Sequence, residues 1–159
     1  MRKIENPYTG NEGYRCFGCS PDNPIGLQMA FNETDDAVVS EWMPHPDYEG
    51  YSEVLHGGIQ ATLMDEIASW FVQIKLRTAG VTYKMEVTYI KPVSSGAGSV
   101  RLKATLRQTK RKFAEIDVGL RDHRNELCTK ALITYYTFPP EEAREKLNYP
   151  PYGNFFREK

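Results

Sequence analysis

An α+β fold, with one long helix set against five or six antiparallel strands, is predicted by two features of the chain. The first is a single long stretch with helical spacing. Ile59, Leu63, Ile67, Trp70 and Ile74 recur at steps of three and four and line one face of a helix running to about Arg77. The second is the series of strand-like segments that follows, joined by links too short for crossover helices, so the late strands pair as antiparallel hairpins.

Residues 1–27, rich in Pro, Gly, Asn and aromatics, read as an irregular N-terminal arm. They end in the turn-forming run Ser20-Pro21-Asp22-Asn23-Pro24-Ile25-Gly26-Leu27. Residues 28–138 form the domain. It opens with two strands, one through Met29 and Phe31 and one from Val38 to Met43, closed by Pro44 and Pro46. A loop with His45, Tyr48, Gly50 and Tyr51 leads to His56-Gly57-Gly58 and the helix, which Ala79-Gly80 ends. Four strands follow, Val81 to Ile90, Ser99 to Gln108, Phe113 to Leu120 and Glu126 to Phe138, and Pro139-Pro140 stops the last. Residues 139–159 are a tail in which Glu141 to Leu147 can make two helical turns.

A chain of 159 residues is long enough for one domain with a real core and no staples. Twenty Lys and Arg against twenty-one Asp and Glu give a net charge of −1, so no single-signed field exists to attract nucleic acid or an anionic membrane. The three cysteines are an odd number, and the start Met1-Arg2-Lys3-Ile4-Glu5-Asn6-Pro7 lacks the apolar stretch of a secretory signal. A cytoplasmic protein with reduced thiols is expected. The most apolar stretch, Ile59 to Ile74, is interrupted by Gln60, Asp65, Glu66 and Gln73, and cannot cross a bilayer as a helix.

The chemistry concentrates at the helix entrance. Gly57 and Gly58 let another molecule approach backbone N–H groups that have no intrahelical acceptor, so a carbonyl gaining charge under attack could be held there with help from the helix dipole. The alternative is that the glycines only turn the chain. Asp65 lies inside the apolar helix beside small residues, where a carboxylate is either a catalytic base or nucleophile or a structural hydrogen-bonding partner. Glu66, rotated by about 100°, is the rival acid. Asp65 sits roughly 10 Å along the axis from Gly58, too far for both to reach one carbonyl carbon, so two antiparallel helices from two subunits are expected to share each site.

The run from His56 to Glu66, followed by Met85-Glu86-Val87-Thr88-Tyr89-Ile90-Lys91-Pro92, resembles the hotdog acyl-CoA thioesterases of the phenylacetate-pathway (PaaI-like) type. The resemblance spans Cys16 to Phe138. It implies a hotdog fold, a curved sheet wrapped around a long helix, in dimers that often pair into tetramers. It also implies acyl-CoA hydrolysis with no metal or other cofactor, coenzyme A being part of the substrate. By the same resemblance, the Gly57 amide polarises the carbonyl and the partner subunit's Asp65 acts as general base or nucleophile. His56 then orients the loop or touches the thioester region rather than serving as the main base, and Thr82 positions the carboxylate or water. The sequence departs from several relatives before the histidine: where they carry Asn or Gln, this loop reads Gly50-Tyr51-Ser52-Glu53, leaving Ser52 or Glu53 to substitute.

Cys16-Phe17-Gly18-Cys19 has the spacing of half a zinc site without a second pair, so an arm whose cysteines pack near the acyl pocket is preferred to a metal site. Lys110-Arg111-Lys112 is either a clamp for the CoA phosphates or a solvated turn, and Lys84 and Lys91 are lesser candidates for that task. Trp42, Tyr48, Tyr51, Trp70, Phe71 and Tyr83 either line an acyl pocket or fill the core. Two other functions remain in view: a non-catalytic dimer that binds acyl-CoA or lipid, and a hydratase or dehydratase of the same fold. The second lacks its usual Asp-x-Asn-x-x-His pattern here.

Overall fold

The computed structural model describes residues 1–157. Its elements are β1 (Arg2–Ile4), β2 (Phe31–Glu33), β3 (Ala37–Trp42), α1 (Gly57–Lys75), β4 (Gly80–Tyr89), β5 (Val100–Lys110), β6 (Phe113–Arg121), β7 (Leu127–Thr137) and α2 (Pro140–Leu147). The strands make one sheet in the order β1-β2-β3-β5-β6-β7-β4, every neighbouring pair antiparallel. Its seven strands exceed the five or six expected because Arg2-Lys3-Ile4, inside the arm read as irregular, adds to β2 as an edge strand. Three residues are too few to show a period of two.

Helix α1 lies across β2 to β7. The facing side chains of β5, β6 and β7 alternate with outward ones: Val100, Leu102 and Ala104; Ala114, Ile116, Val118 and Leu120; Thr129, Ala131, Ile133 and Tyr135. The second half of α1 is buried on nearly all sides, from Ile67 and Ala68 through Trp70 to Ile74, because the arm and the tail cover what the sheet leaves open. Trp70 stacks on Phe31 at 4.9 Å and meets Tyr8 and Phe155 edge-on, while the Tyr149 hydroxyl donates to the Gln73 carbonyl.

The helix ends earlier than Ala79-Gly80. Arg77 takes the left-handed conformation (φ 52°) that breaks α1, a position glycine usually fills, and its guanidinium covers the Tyr152 ring at 4.4 Å. The tight turns match expectation: Arg111 (φ 56°) turns β5 into β6, and Asn125 (φ 65°) returns its N–H to the Asp122 carbonyl before β7. Among the described residues no helix is long and apolar enough to cross a membrane.

Candidate active site

Helix α1 begins at a histidine cap. His56 Nδ1 accepts the Gly58 N–H at 2.8 Å from an extended backbone (φ −57°, ψ 134°). This bond commits the Gly58 amide and leaves the Gly57 N–H without an acceptor among the described residues. The first turn is anchored from below. Gln60 is buried, donating to the Leu55 carbonyl at 3.1 Å and accepting from the Thr129 hydroxyl, while the Tyr89 hydroxyl donates to the Gly57 carbonyl at 2.6 Å. A Cβ on residue 57 would meet the Tyr89 ring at 3.3 Å, so glycine keeps this amide open to a visitor.

Two turns further on, Asp65 faces the start of β4. Its Oδ1 accepts from Thr82 Oγ1 at 2.8 Å and from the Tyr135 hydroxyl at 2.6 Å. Thr82 and Tyr135 are register partners on β4 and β7, so the sheet itself places both donors under the helix. Oδ2 takes no hydrogen bond from any described residue. Burial, followed by the Asp65 charge, pushes the Tyr135 phenol well above its usual range and keeps it a donor. Just after Thr82 the β4–β7 register slips by one residue, and this bulge turns Tyr83 out to lie 4.9 Å from the Phe113 ring.

Thus Thr82 joins Asp65, and the sequence reading missed Tyr135. A trace of it was present, since Ile133 and Tyr135 alternate on the inward face of the last strand. Glu66 does not share this site. It turns toward the arm, where its Oε1 lies 3.1 Å from Trp70 Nε1 and 3.4 Å from Cys16 Sγ. Burial, then the Cys16 sulfur, raises its carboxyl to about 7. Hydrogen bonding from Cys19 lowers the Cys16 thiol to about 5. Lys84 pairs with Glu86 at 3.0 Å on the exposed strand, and Lys91 pairs with Glu126.

The Lys110-Arg111-Lys112 turn leads into Phe113, opposite Tyr136, and so lies toward the Thr82 end of β4 rather than beside Gly57 in the same chain. Of the six aromatics, Trp42, Trp70 and Phe71 are core, Tyr48 is half-buried, and Tyr51 and Tyr83 are exposed. A concavity of about 890 Å³ lies away from this site; outward side chains including Arg101, Lys103, Asp117 and Lys130 line it, but neither Gly57 nor Asp65 does.

One long helix held against an antiparallel sheet is the hotdog architecture, and solved structures share it. A thioesterase from Haemophilus influenzae superposes with a TM-score of 0.64 at 22% identity, over 70% of this chain and 79% of that one. A hypothetical thioesterase with coenzyme A from Streptococcus pneumoniae gives 0.63 at 24%, over 70% and 87%. A phenylacetic acid degradation-related protein from Ralstonia eutropha gives 0.63 at 16%, over 70% and 86%. The protein is a hotdog-fold α+β protein. The Thioesterase superfamily model matches residues 53–129, from the loop before His56 into β7. A protein of Saccharolobus solfataricus assigned as an esterase is 26% identical over 96 residues; the match spans 60% of this chain and 63% of the relative's length.

Proposed function

We propose that the protein is an acyl-CoA thioesterase that acts as a homodimer, each site combining Gly57 of one chain with Asp65 of the other. The observation that carries this reading is the distance between the two groups. They lie on one helix, roughly 12 Å apart along its axis. A carbonyl under attack needs its oxyanion donor and its attacking oxygen both within about 3 Å, which two antiparallel copies of α1 offer and one does not. Strand β4 supports the pairing. It is a ten-residue edge, bonded among the described residues only to β7, and exposes Val81, Tyr83 and Tyr89 with Ile90 just beyond, a template for a second copy.

In the reaction, the Gly57 N–H and the positive end of α1 stabilise the carbonyl oxygen as it gains charge. The partner's Asp65 takes a proton from water, whose oxygen adds to the carbonyl carbon. The C–S bond then breaks, CoA leaves and recovers the proton from the carboxyl, and the free acid remains. Thr82 and Tyr135 fix Oδ1 so that Oδ2 is presented to the water. These steps use no metal or redox cofactor. In such a dimer the Lys110-Arg111-Lys112 turn of one chain falls on the side of the partner's Gly57, suited to the phosphates of CoA. The coenzyme A in the Streptococcus pneumoniae structure supports that choice of thiol. Three free cysteines suit the reducing cytoplasm.

The test is release of CoA thiol from short, long and aromatic acyl-CoAs by the native protein and Asp65→Asn. Turnover of at least one thioester, falling about a hundredfold or more in the variant, supports the proposal. If neither protein releases thiol while both bind acyl-CoA, the protein is a carrier or sensor instead.

A further inference from the structure

On the side of α1 that faces the arm, Cys16, Cys19 and Glu66 each offer one ligand atom, and these atoms lie within 4.8 Å of one another. The thioester chemistry uses none of them. Cys16 Sγ is 3.4 Å from Glu66 Oε1, near the roughly 3.6 Å that a sulfur and a carboxylate oxygen would span on a tetrahedral zinc ion. Both thiols are free.

The turn is shaped like a ligand loop. The Cys19 N–H donates to Cys16 Sγ at 3.4 Å, and the Ser20 N–H closes the turn on the Cys16 carbonyl at 3.1 Å. A Cβ on residue 18 would lie 2.4 Å from Glu66 Oε2, so a larger residue there would displace the carboxylate from the two sulfurs. The carboxylate and two sulfurs gather in apolar surroundings. Among the described residues no lysine, arginine or histidine pairs with Glu66. A cavity of about 440 Å³, lined also by Tyr14 and Ser69, opens beside all three.

We propose that Cys16, Cys19 and Glu66 bind a thiophilic divalent cation of the zinc class, with its fourth position filled by water from the adjoining cavity. Two thiolates favour such an ion over magnesium or calcium. The third ligand was invisible in the sequence, where Glu66 stands 50 residues from Cys16. Bound there, the ion ties the N-terminal arm to α1 and releases the thiol protons to solvent.

The test is titration of the reduced, chelator-stripped full chain with Co²⁺. The expected result is one equivalent bound, with a sulfur-to-cobalt charge-transfer band that Zn²⁺ abolishes. Cys16→Ser and Cys19→Ser each lose that band, Cys128→Ser keeps it, and Glu66→Gln weakens binding by about tenfold or more. If a cysteine variant fails to fold, alkylation of the native protein decides, since Zn²⁺ should protect Cys16 and Cys19 but not Cys128. No sulfur band, a band that survives in Cys19→Ser, alkylation unaffected by Zn²⁺, or air oxidation to a Cys16–Cys19 disulfide with no metal uptake would each overturn the proposal.

Discussion

The Tyr135 hydroxyl lies 2.6 Å from Asp65 Oδ1, in a side chain only 2% exposed, beside its register partner Thr82. Two neutral donors from adjacent strands therefore hold one oxygen of a helical carboxylate and leave the other without a protein partner. Tyr135→Phe removes the shorter bond. Hydrogen bonds to charged groups contribute about 1.5–3 kcal/mol, so kcat for thiol release should fall roughly 10- to 100-fold. Thr82→Val should act in the same direction. Steady-state kinetics beside circular dichroism checks this, and unchanged kcat in both variants would separate these donors from the chemistry.

His56 is predicted to matter through the backbone. Its Nδ1 caps the Gly58 N–H, so His56→Ala costs about 1 kcal/mol of stability and lowers Tm by about 2–4 °C. His56→Asn, which can cap the same amide, should recover most of that loss in a thermal melt.

The apolar edge of β4 is predicted to hold the dimer. Val81 and Tyr83 are 45% and 67% exposed in the isolated chain. Val81→Lys together with Tyr83→Lys would set like charges against each other in two paired copies. Sedimentation should shift from dimer to monomer, with loss of thiol release but retained helix signal.

Trp70 is the keystone of the covered side of α1, stacked on Phe31 and donating to Glu66. Trp70→Ala should cost roughly 3–5 kcal/mol in urea unfolding. Trp70→Phe keeps most of the packing and should cost less.

The sequence made these elements legible to different degrees. The helix was plain because Ile59, Leu63, Ile67, Trp70 and Ile74 repeat at its own period, and the late hairpins because their turn residues sit between alternating strands. Arg2–Ile4 was hidden, since three residues carry no pattern and the strand exists only through its pairing with β2. Of the candidate site, His56, Gly57 and Asp65 were proposed from the sequence because they share one local motif. Tyr135 could not, since its role comes from the Thr82–Tyr135 register, 53 residues apart in the chain. Glu66 was placed as a rival to Asp65 because helical geometry alone gave only its angle, and the arm that claims it folds back from 50 residues away.

The central claim is that Gly57 and Asp65 act on one thioester from different subunits, and subunit mixing tests it most directly. Gly57→Pro deletes the amide donor at the first helical position, where proline is tolerated and the extended His56 backbone (φ −57°, ψ 134°) accepts it, the Tyr89 ring yielding a few tenths of an ångström to the new Cβ. Gly57→Pro and Asp65→Asn should each be nearly inactive alone. Dissociated, mixed and reassociated, about half the dimers pair one of each, and each of these carries one intact site of two, so about a quarter of native thiol release should return. If the mixture forms mixed dimers and stays as inactive as its parents, both groups act within one chain and the account is contradicted.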